Sequence, residues 1–159
     1  MAIDLGQSKL KDLQKIIKSR RFLDPLIREA RSIIYNRVKS GYGVDSLAPG
    51  ASRDRLASLS RPYIETRKRR RLGPFGRPGK SNLTLTGQML ESMFAEVEKG
   101  VLRVVIPPTS RYDTKLNNAQ VAEIVQEVRP FMQFTDGELR ILERLFLQNL
   151  RKELIKLFK

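Results

Sequence analysis

The 159-residue sequence contains no cysteine and no histidine. Without cysteine the chain has no disulfide, no thiolate zinc site and no cysteine nucleophile. Without histidine it lacks the commonest general base and the commonest transition-metal ligand. An enzyme built on this chain would have to rely on carboxylates, lysine, serine, threonine or tyrosine. We therefore expect no catalytic residues, no metal site and no cofactor.

Long apolar runs are missing as well. No segment approaches the roughly 18–20 apolar residues that span a membrane. Residues 1–6 do not place a basic segment before an apolar one, as a signal peptide would. Tryptophan is absent, and there are only seven phenylalanines and four tyrosines, so a core must rest mainly on leucine, isoleucine and valine. These features predict a soluble protein, made in the cytoplasm, with no membrane partner.

Positive charge, in contrast, is in large excess. The chain carries 31 lysines and arginines against 17 aspartates and glutamates, a formal net charge of +14. Residues 81–159 hold eleven basic and ten acidic side chains and are nearly balanced. The excess therefore lies in the first half, above all in residues 53–80, with ten basic and two acidic side chains. Such an imbalance is typical of a surface that meets a polyanion.

The densest basic group is the run of residues 67–71. Five adjacent cations repel one another and would be costly to bury, so the run is expected on the surface. It favours contact with DNA or with an acidic partner, and a merely solvated surface is the plainer alternative. No aromatic residue interrupts the run, so a DNA contact would be to phosphate, without sequence preference. The residues predicted to make this contact are Arg67, Lys68, Arg69, Arg70, Arg71, Arg77 and Lys80.

Apolar residues at helical spacing predict two helices near the N-terminus. The first covers residues 8–20. The second begins at Asp24-Pro25, because aspartate can cap the free amides and proline fits a first helical turn. It ends at Gly41, and residues 41–60 are interpreted as a loop.

The middle of the chain alternates turn signals with short helices. A third helix is predicted from Ser60 or Arg61 to about Arg70. The Gly- and Pro-rich sequence after it cannot form regular structure and predicts a flexible loop over residues 71–82. Thr86 is then a good cap for a helix of one or two turns.

The last third of the chain contains a hairpin signal and a long helix. Lys99-Gly100 is a tight-turn pair between two apolar segments, and Thr135 with Glu138 forms a capping-box pattern. The predicted elements are a hairpin of residues 94–98 and 101–106, a helix over 115–127, a short strand or extended segment over 129–134, and a helix from 135 to about 158.

These elements predict an α+β fold. We expect a small antiparallel sheet built on a β-hairpin, packed with a long helix from the N-terminal half and a long C-terminal helix. Residues 1–159 are predicted to form a single domain. Within it, residues 1–22 are a helical extension and residues 71–82 are the flexible loop.

Two acidic groups were considered as catalytic sites and rejected. Glu96 and Glu98 share one face of a predicted strand and are interpreted as the solvent side of the hairpin. Asp54, Glu65 and Lys68 include the residue types of a metal nuclease, but the spacing of Glu65 and Lys68 differs from the usual strand motif. Both also lie in a predicted helix. The sequence therefore favours a protein that is not an enzyme.

Three segments carry a family resemblance. The first is Leu59-Ser60-x-x-Tyr63 followed by Lys68, the second is Leu83-Thr84-Leu85-Thr86-Gly87-Gln88-Met89-Leu90-Glu91-Ser92-Met93, and the third is Arg129-Pro130-Phe131-Met132. In this order they resemble the phage virion-morphogenesis and tail-completion families, which include tail-to-head joining proteins. The resemblance covers roughly residues 25–158.

The resemblance implies an α+β structural subunit of a tailed-phage virion. Such a subunit forms a homo-oligomeric ring, for instance a hexamer, at the head–tail junction, and it is required for assembly of infectious particles. Its implied partners are other neck and tail proteins and DNA in the ring lumen, and its location is the neck or tail of the virion after synthesis in the host cytoplasm. The basic run favours a different function, that of a nucleic-acid-binding protein without sequence specificity.

Overall fold

The computed structural model describes residues 3–46, 48, 50–69, 87–110 and 115–158. In this part of the chain the fold is α+β, as predicted. In chain order the elements are α1 (Ile3–Lys18), α2 (Arg20–Lys39), β1 (Tyr42–Val44), β2 (Arg53–Arg55), α3 (Arg61–Arg69), α4 (Gln88–Glu91), β3 (Phe94–Glu98), β4 (Val101–Val105), α5 (Asn118–Val128) and α6 (Asp136–Leu157). None of the described helices is long and apolar enough to cross a membrane.

The first two helices meet at Ser19, so the predicted start of the second helix at Asp24-Pro25 was wrong. The Ser19 hydroxyl accepts a hydrogen bond from the Phe22 N–H at 3.3 Å and donates to the Ile16 carbonyl at 2.6 Å. Serine caps a helix as well as aspartate does, and the buried Phe22 ring anchors the additional turn. Pro25 therefore lies inside α2, where its missing N–H favours a bend.

α2 is the centre of the fold. It packs against β1, the β3–β4 hairpin, α1 and α6. Its buried positions recur at nearly every turn, and they are Phe22, Leu26, Ala30, Ile34, Arg37 and Val38. The core cluster that surrounds the last turns of α2 contains, from other elements, Leu56, Met89, Leu90, Met93, Ile106, Ala122 and Phe131. Because burial of apolar surface is the main favourable term in folding, α2 holds the other elements together.

A second hairpin, β1–β2, lies in the segment interpreted as a loop. It pairs residues 42–44 with residues 53–55 in antiparallel register. The Val44 N–H also donates to the Pro130 carbonyl at 2.9 Å. A Cβ atom on Gly43 would lie 2.1 Å from that carbonyl oxygen, so the close approach requires glycine. The loop prediction was wrong here because both strands are three residues long and the exposed Arg-Asp-Arg of β2 carries no apolar alternation.

The hairpin predicted around Lys99-Gly100 is confirmed as β3 and β4. Both turn residues have positive φ, 50° and 83°, as a two-residue type I′ turn requires. α4 precedes the hairpin, and its N-cap residue is Gly87, which has a φ of 80°. Thr86, the predicted cap of this helix, lies outside the described residues. The described part of the chain thus has two small two-stranded sheets where the sequence predicted one.

The long C-terminal helix begins at the predicted capping box. The Thr135 hydroxyl accepts from the Glu138 N–H at 3.3 Å, and the Glu138 carboxylate accepts from the Thr135 N–H at 2.9 Å. The chain before it, predicted as a short strand or extended segment, forms no strand and bends at Met132 and Gln133, and it places Phe131 fully inside the core. Of the 22 residues of α6, Leu142 is the buried one, so α6 lies at the surface of the fold.

The predicted division of the chain is only partly visible. α1 contacts both α2 and α6, and so connects the predicted N-terminal extension to the rest of the fold. The predicted flexible loop, residues 71–82, lies outside the described residues. The single-domain organisation over residues 1–159 stays a prediction.

Candidate functional site

The basic cluster predicted from the sequence is described only at its start. Lys68 and Arg69 are exposed at the C-terminal end of α3. The Lys68 ammonium pairs with Glu65 in the same helix at 2.7 Å, and both side chains are 56% exposed, so the pair stabilises little. Arg67 belongs to the same helix. The predicted contact residues Arg70, Arg71, Arg77 and Lys80 lie outside the described residues.

The rejected acidic groups do not form a site in the described part of the chain. Glu65 is paired with Lys68, whereas Asp54 lies on β2 and accepts a hydrogen bond from the Arg55 N–H at 2.7 Å. Glu98 pairs across the hairpin with Arg103 at 2.7 Å. Across the described residues, no group of three or more acidic side chains could hold a metal ion. The absence of catalytic activity stays a prediction.

Arg37 in α2 is a cation with a structural role. It is 4% exposed. One terminal nitrogen pairs with the Glu138 carboxylate, and the other donates to the carbonyls of Phe131 and Gln133 at 2.7 Å each. The same Glu138 oxygen accepts the Thr135 N–H of the capping box. Burial lowers the pKa of the Arg37 guanidinium, and the neighbouring carboxylate opposes that shift. This network fixes α2 against the start of α6.

Two further arginines connect distant parts of the main chain. Arg31 in α2 donates to the Met93 carbonyl at 2.6 Å and so holds the end of α4. Arg129 donates to the carbonyls of Ala57 and Ser58 at 3.1 and 3.3 Å, which ties the end of α5 to the chain after β2. These guanidinium groups are occupied by the protein itself. They are poorer candidates for contact with a polyanion than exposed cations such as Arg69.

A second basic site, which we call the junction pocket, was not predicted. It is a cavity of about 300 Å³ where the α1–α2 junction meets the C-terminal half of α6. Three cations line it, Arg21, Lys152 and Lys156, and the Lys156 ammonium pairs with the single carboxylate, Glu153, at 2.5 Å. The Asn149 Nδ2 atom is buried there without a hydrogen-bond partner among the described residues. A concave site with this charge balance suits a phosphate or another small anion.

The outward side of α6 is basic and apolar. Its members are separated by four, three, four and four positions and lie opposite the buried Leu142. We call this surface the α6 outer face, and it consists of Arg140, Arg144, Leu147, Arg151 and Ile155. All five side chains are exposed, and the two apolar ones are 54% and 50% exposed. Exposed apolar residues in one stripe with cations suit an acidic, partly apolar partner.

The outward side of α5 has the opposite charge. Glu123, Ile124, Glu127 and Val128 form what we call the α5 face, and all four are exposed, the apolar pair by 54% and 65%. Beside it, an open groove of about 540 Å³ separates α5 from β4. The groove has apolar walls that include Val104 and Met132, and both glutamates stand at its edge. This surface therefore suits a basic, partly apolar partner.

The sequence contained a signal for the two helical faces but not for the pocket. Both helices and their apolar spacing were predicted, but which side of each helix meets the core was set by packing. The pocket joins residues more than a hundred positions apart. The chain matches no protein-family model, no curated protein and no solved structure.

Proposed function

We propose that this protein is a structural subunit of a tailed-phage virion, which forms a ring at the head–tail junction and is required for assembly of infectious particles. In this role it is not an enzyme. It binds other copies of itself and other neck and tail proteins, with DNA passing through the lumen. It is made in the host cytoplasm and resides in the neck or tail of the virion.

The observation that carries this proposal is the position of the family-like segments in the fold. Met89, Leu90 and Met93 belong to the second segment and Phe131 to the third, and all four are buried in the core cluster. A chance likeness among surface residues would say little about architecture. These residues pack against the last turns of α2, α5 and the chain at the end of β4, so the likeness supports a common α+β framework. The ring function is proposed on that framework.

Exposed apolar side chains support self-association. Leu147 and Ile155 on α6, and Ile124 and Val128 on α5, are each at least half exposed. They form two clusters on different helices, each accompanied by charges. Apolar clusters of this kind are typical of protein contact surfaces. A subunit with two distinct contact surfaces can close into a ring when each copy joins the next.

The test is a phage from which the gene has been deleted, grown in a host with and without the wild-type chain supplied from a plasmid. We expect heads and tails to accumulate unjoined without the chain and complete particles to return with it, as seen by negative-stain electron microscopy. Cryo-electron microscopy of complete virions should place the chain in a ring at the junction. Normal yields of joined, infectious particles from the deletion phage would overturn the proposal.

A second function is favoured by the basic surfaces. The junction pocket and the exposed cations at the end of α3 suit binding of nucleic-acid phosphate by the free monomer. A salt titration of DNA affinity separates the two functions, because each phosphate contact adds to the slope of log affinity against log salt. Tight binding by the monomer with a steep slope, together with absence of the chain from virions, would favour the nucleic-acid-binding protein.

A further inference from the structure

α5 is the most acidic of the described helices. The chain has a net charge of +14. α5 (Asn118–Val128) has two glutamates and no lysine or arginine, a net charge of −2. The α6 outer face carries three arginines, and the exposed Asp136 and Glu143 lie beside it, one turn from Arg140. A basic protein thus presents one acidic helical surface and one mainly basic helical surface, each with exposed apolar side chains between its charges.

The charged residues on the two surfaces have matching spacing. Glu123 and Glu127 are one helical turn apart, and so are Arg140 and Arg144. At 1.5 Å rise per residue, each pair is separated by about 6 Å along its helix axis. Two helices packed side by side can therefore bring both carboxylates to both guanidinium groups at once.

Among the described residues, neither surface forms an ion pair within the molecule. In the described part of the chain, Glu123 and Glu127 have no ion-pair partner, and neither have Arg140 and Arg144. α6 packs on α1 and α2, whereas α5 packs on α4. Because the two faces belong to different parts of the fold, a contact between them in two copies is head-to-tail. Head-to-tail contacts generate rings when the rotation closes.

We propose that the α6 outer face of one copy docks on the α5 face and the adjoining groove of the next copy. This inference rests on the proposed ring function and names the contact that builds the ring. The occupant of each face is a second copy of this chain. Leu147, which lies one turn beyond Arg144, covers Ile124 and Val128. The two arginines pair with the two glutamates. The charges set the register and the choice of partner, while the apolar residues supply the buried area.

The test uses charge reversal in the full chain. One variant combines Glu123→Arg with Glu127→Arg, and a second combines Arg140→Glu with Arg144→Glu. Each variant places like charges opposite one another, so its self-association by analytical ultracentrifugation should weaken by about 100-fold or more. A variant with all four changes restores opposite charges and should assemble as the wild type does. Circular dichroism shows whether each variant is folded.

Mixing the two reversed variants is the sharper measurement. One has two basic faces and the other has two acidic faces, so neither assembles alone but each fits the other. A one-to-one mixture should form alternating oligomers, which native mass spectrometry identifies by mass. The control combines Lys15→Glu with Arg20→Glu, which changes net charge as the Arg140→Glu and Arg144→Glu pair does, at side chains that are 81% and 92% exposed. It should self-associate normally.

The outcomes separate this contact from the proposed function. If both reversed variants assemble as the wild type does, the contact is wrong and the ring must use other surfaces. If the reversed variants fail and neither the mixture nor the four-change variant recovers, the two faces do not meet each other and the inference is overturned. A wild-type chain that stays monomeric and is absent from virions overturns the ring function as well.

Discussion

α2 and α6 are similar in length, with 20 and 22 residues, but they relate to the core in opposite ways. α2 buries six of its residues, including the cation Arg37, and α6 buries one. Along α6 the contacts are concentrated on one side, where Phe146 meets Phe22 edge-on at 5.4 Å. The opposite side presents arginines and apolar residues to solvent.

The difference shows that apolar spacing alone does not predict how much of an amphipathic helix is buried. Both helices carry leucines and isoleucines at helical spacing, and both were predicted from it. α2 has neighbours on several sides, so most of its apolar residues are covered. α6 has neighbours on one side, so Leu139, Ile141, Leu147 and Ile155 stay 43–54% exposed. Apolar spacing thus predicts a helix, but it does not tell how many of its faces another surface covers.

The largest difference between the two helices is expected in the loss of stability when an apolar side chain is truncated to alanine. Ile34→Ala in α2 removes a fully buried side chain and should lower the free energy of unfolding by about 2–5 kcal/mol. Leu147→Ala on the α6 outer face should change it by no more than about 0.5 kcal/mol. Urea denaturation at a concentration where the protein is monomeric measures both. Equal losses would mean that α6 is as central to the core as α2.

Replacing an arginine should also lower stability much more in α2 than in α6. Arg37→Leu leaves Glu138 and two main-chain carbonyls without their donor in a buried place, and we expect a loss of about 3 kcal/mol. Arg144→Leu, on the exposed side of α6, should be nearly neutral for the folded monomer. Thermal unfolding at low protein concentration tests the pair. A neutral Arg37→Leu variant would show that the network is not needed for stability.

A smaller effect is expected at the helix starts. Thr135→Ala removes one half of the α6 capping box and should cost about 1 kcal/mol. Ser19→Ala removes the N-cap of α2, whose bond has the same length of 3.3 Å, and should cost less because Ser19 is less buried than Thr135. Hydrogen exchange of the first-turn amides measures each end separately. A larger loss at Ser19 would indicate that the α1–α2 junction is the weaker point of the fold.

The smallest effect on stability is expected away from both helices. Replacing Lys68 and Arg69 with glutamine changes exposed side chains of α3 and should alter the free energy of unfolding by no more than about 0.5 kcal/mol. If the basic run contacts a polyanion in the assembled junction, the variant still reduces the yield of infectious particles. Complementation of the deletion phage at the wild-type level would identify the run as a solvated surface.

Much of the fold was predicted because its signals are local. The capping box at Thr135 and the turn at Lys99-Gly100 each involve residues within a few positions of one another. The β1–β2 hairpin was missed because its strands are too short to show a pattern. The start of α2 was misplaced because Ser19 and Asp24 are both good caps, and only the burial of Phe22 decides between them.

The candidate site was predicted less completely than the fold. The basic run of residues 67–71 was predicted to lie on the surface, and Lys68 and Arg69 are exposed as expected. The junction pocket was not visible, because Arg21 and Lys152 come from opposite ends of the chain. The residues of the α6 outer face and the α5 face were assigned to helices, but the sequence did not predict that they lie together on exposed surfaces.

The chemistry that is open to this protein, and most of its helices and turns, follow from the order of its residues. The chain has no thiol and no imidazole, its charge is strongly positive, and its caps and turns depend on neighbouring residues. That Arg37 is buried while Arg144 is exposed, and that α5 and α6 present faces of opposite charge, depends on how the chain packs. The physical reason is that burial depends on contacts between residues far apart in the chain, such as Arg37 with Glu138, whereas caps and turns depend on contacts within a single turn.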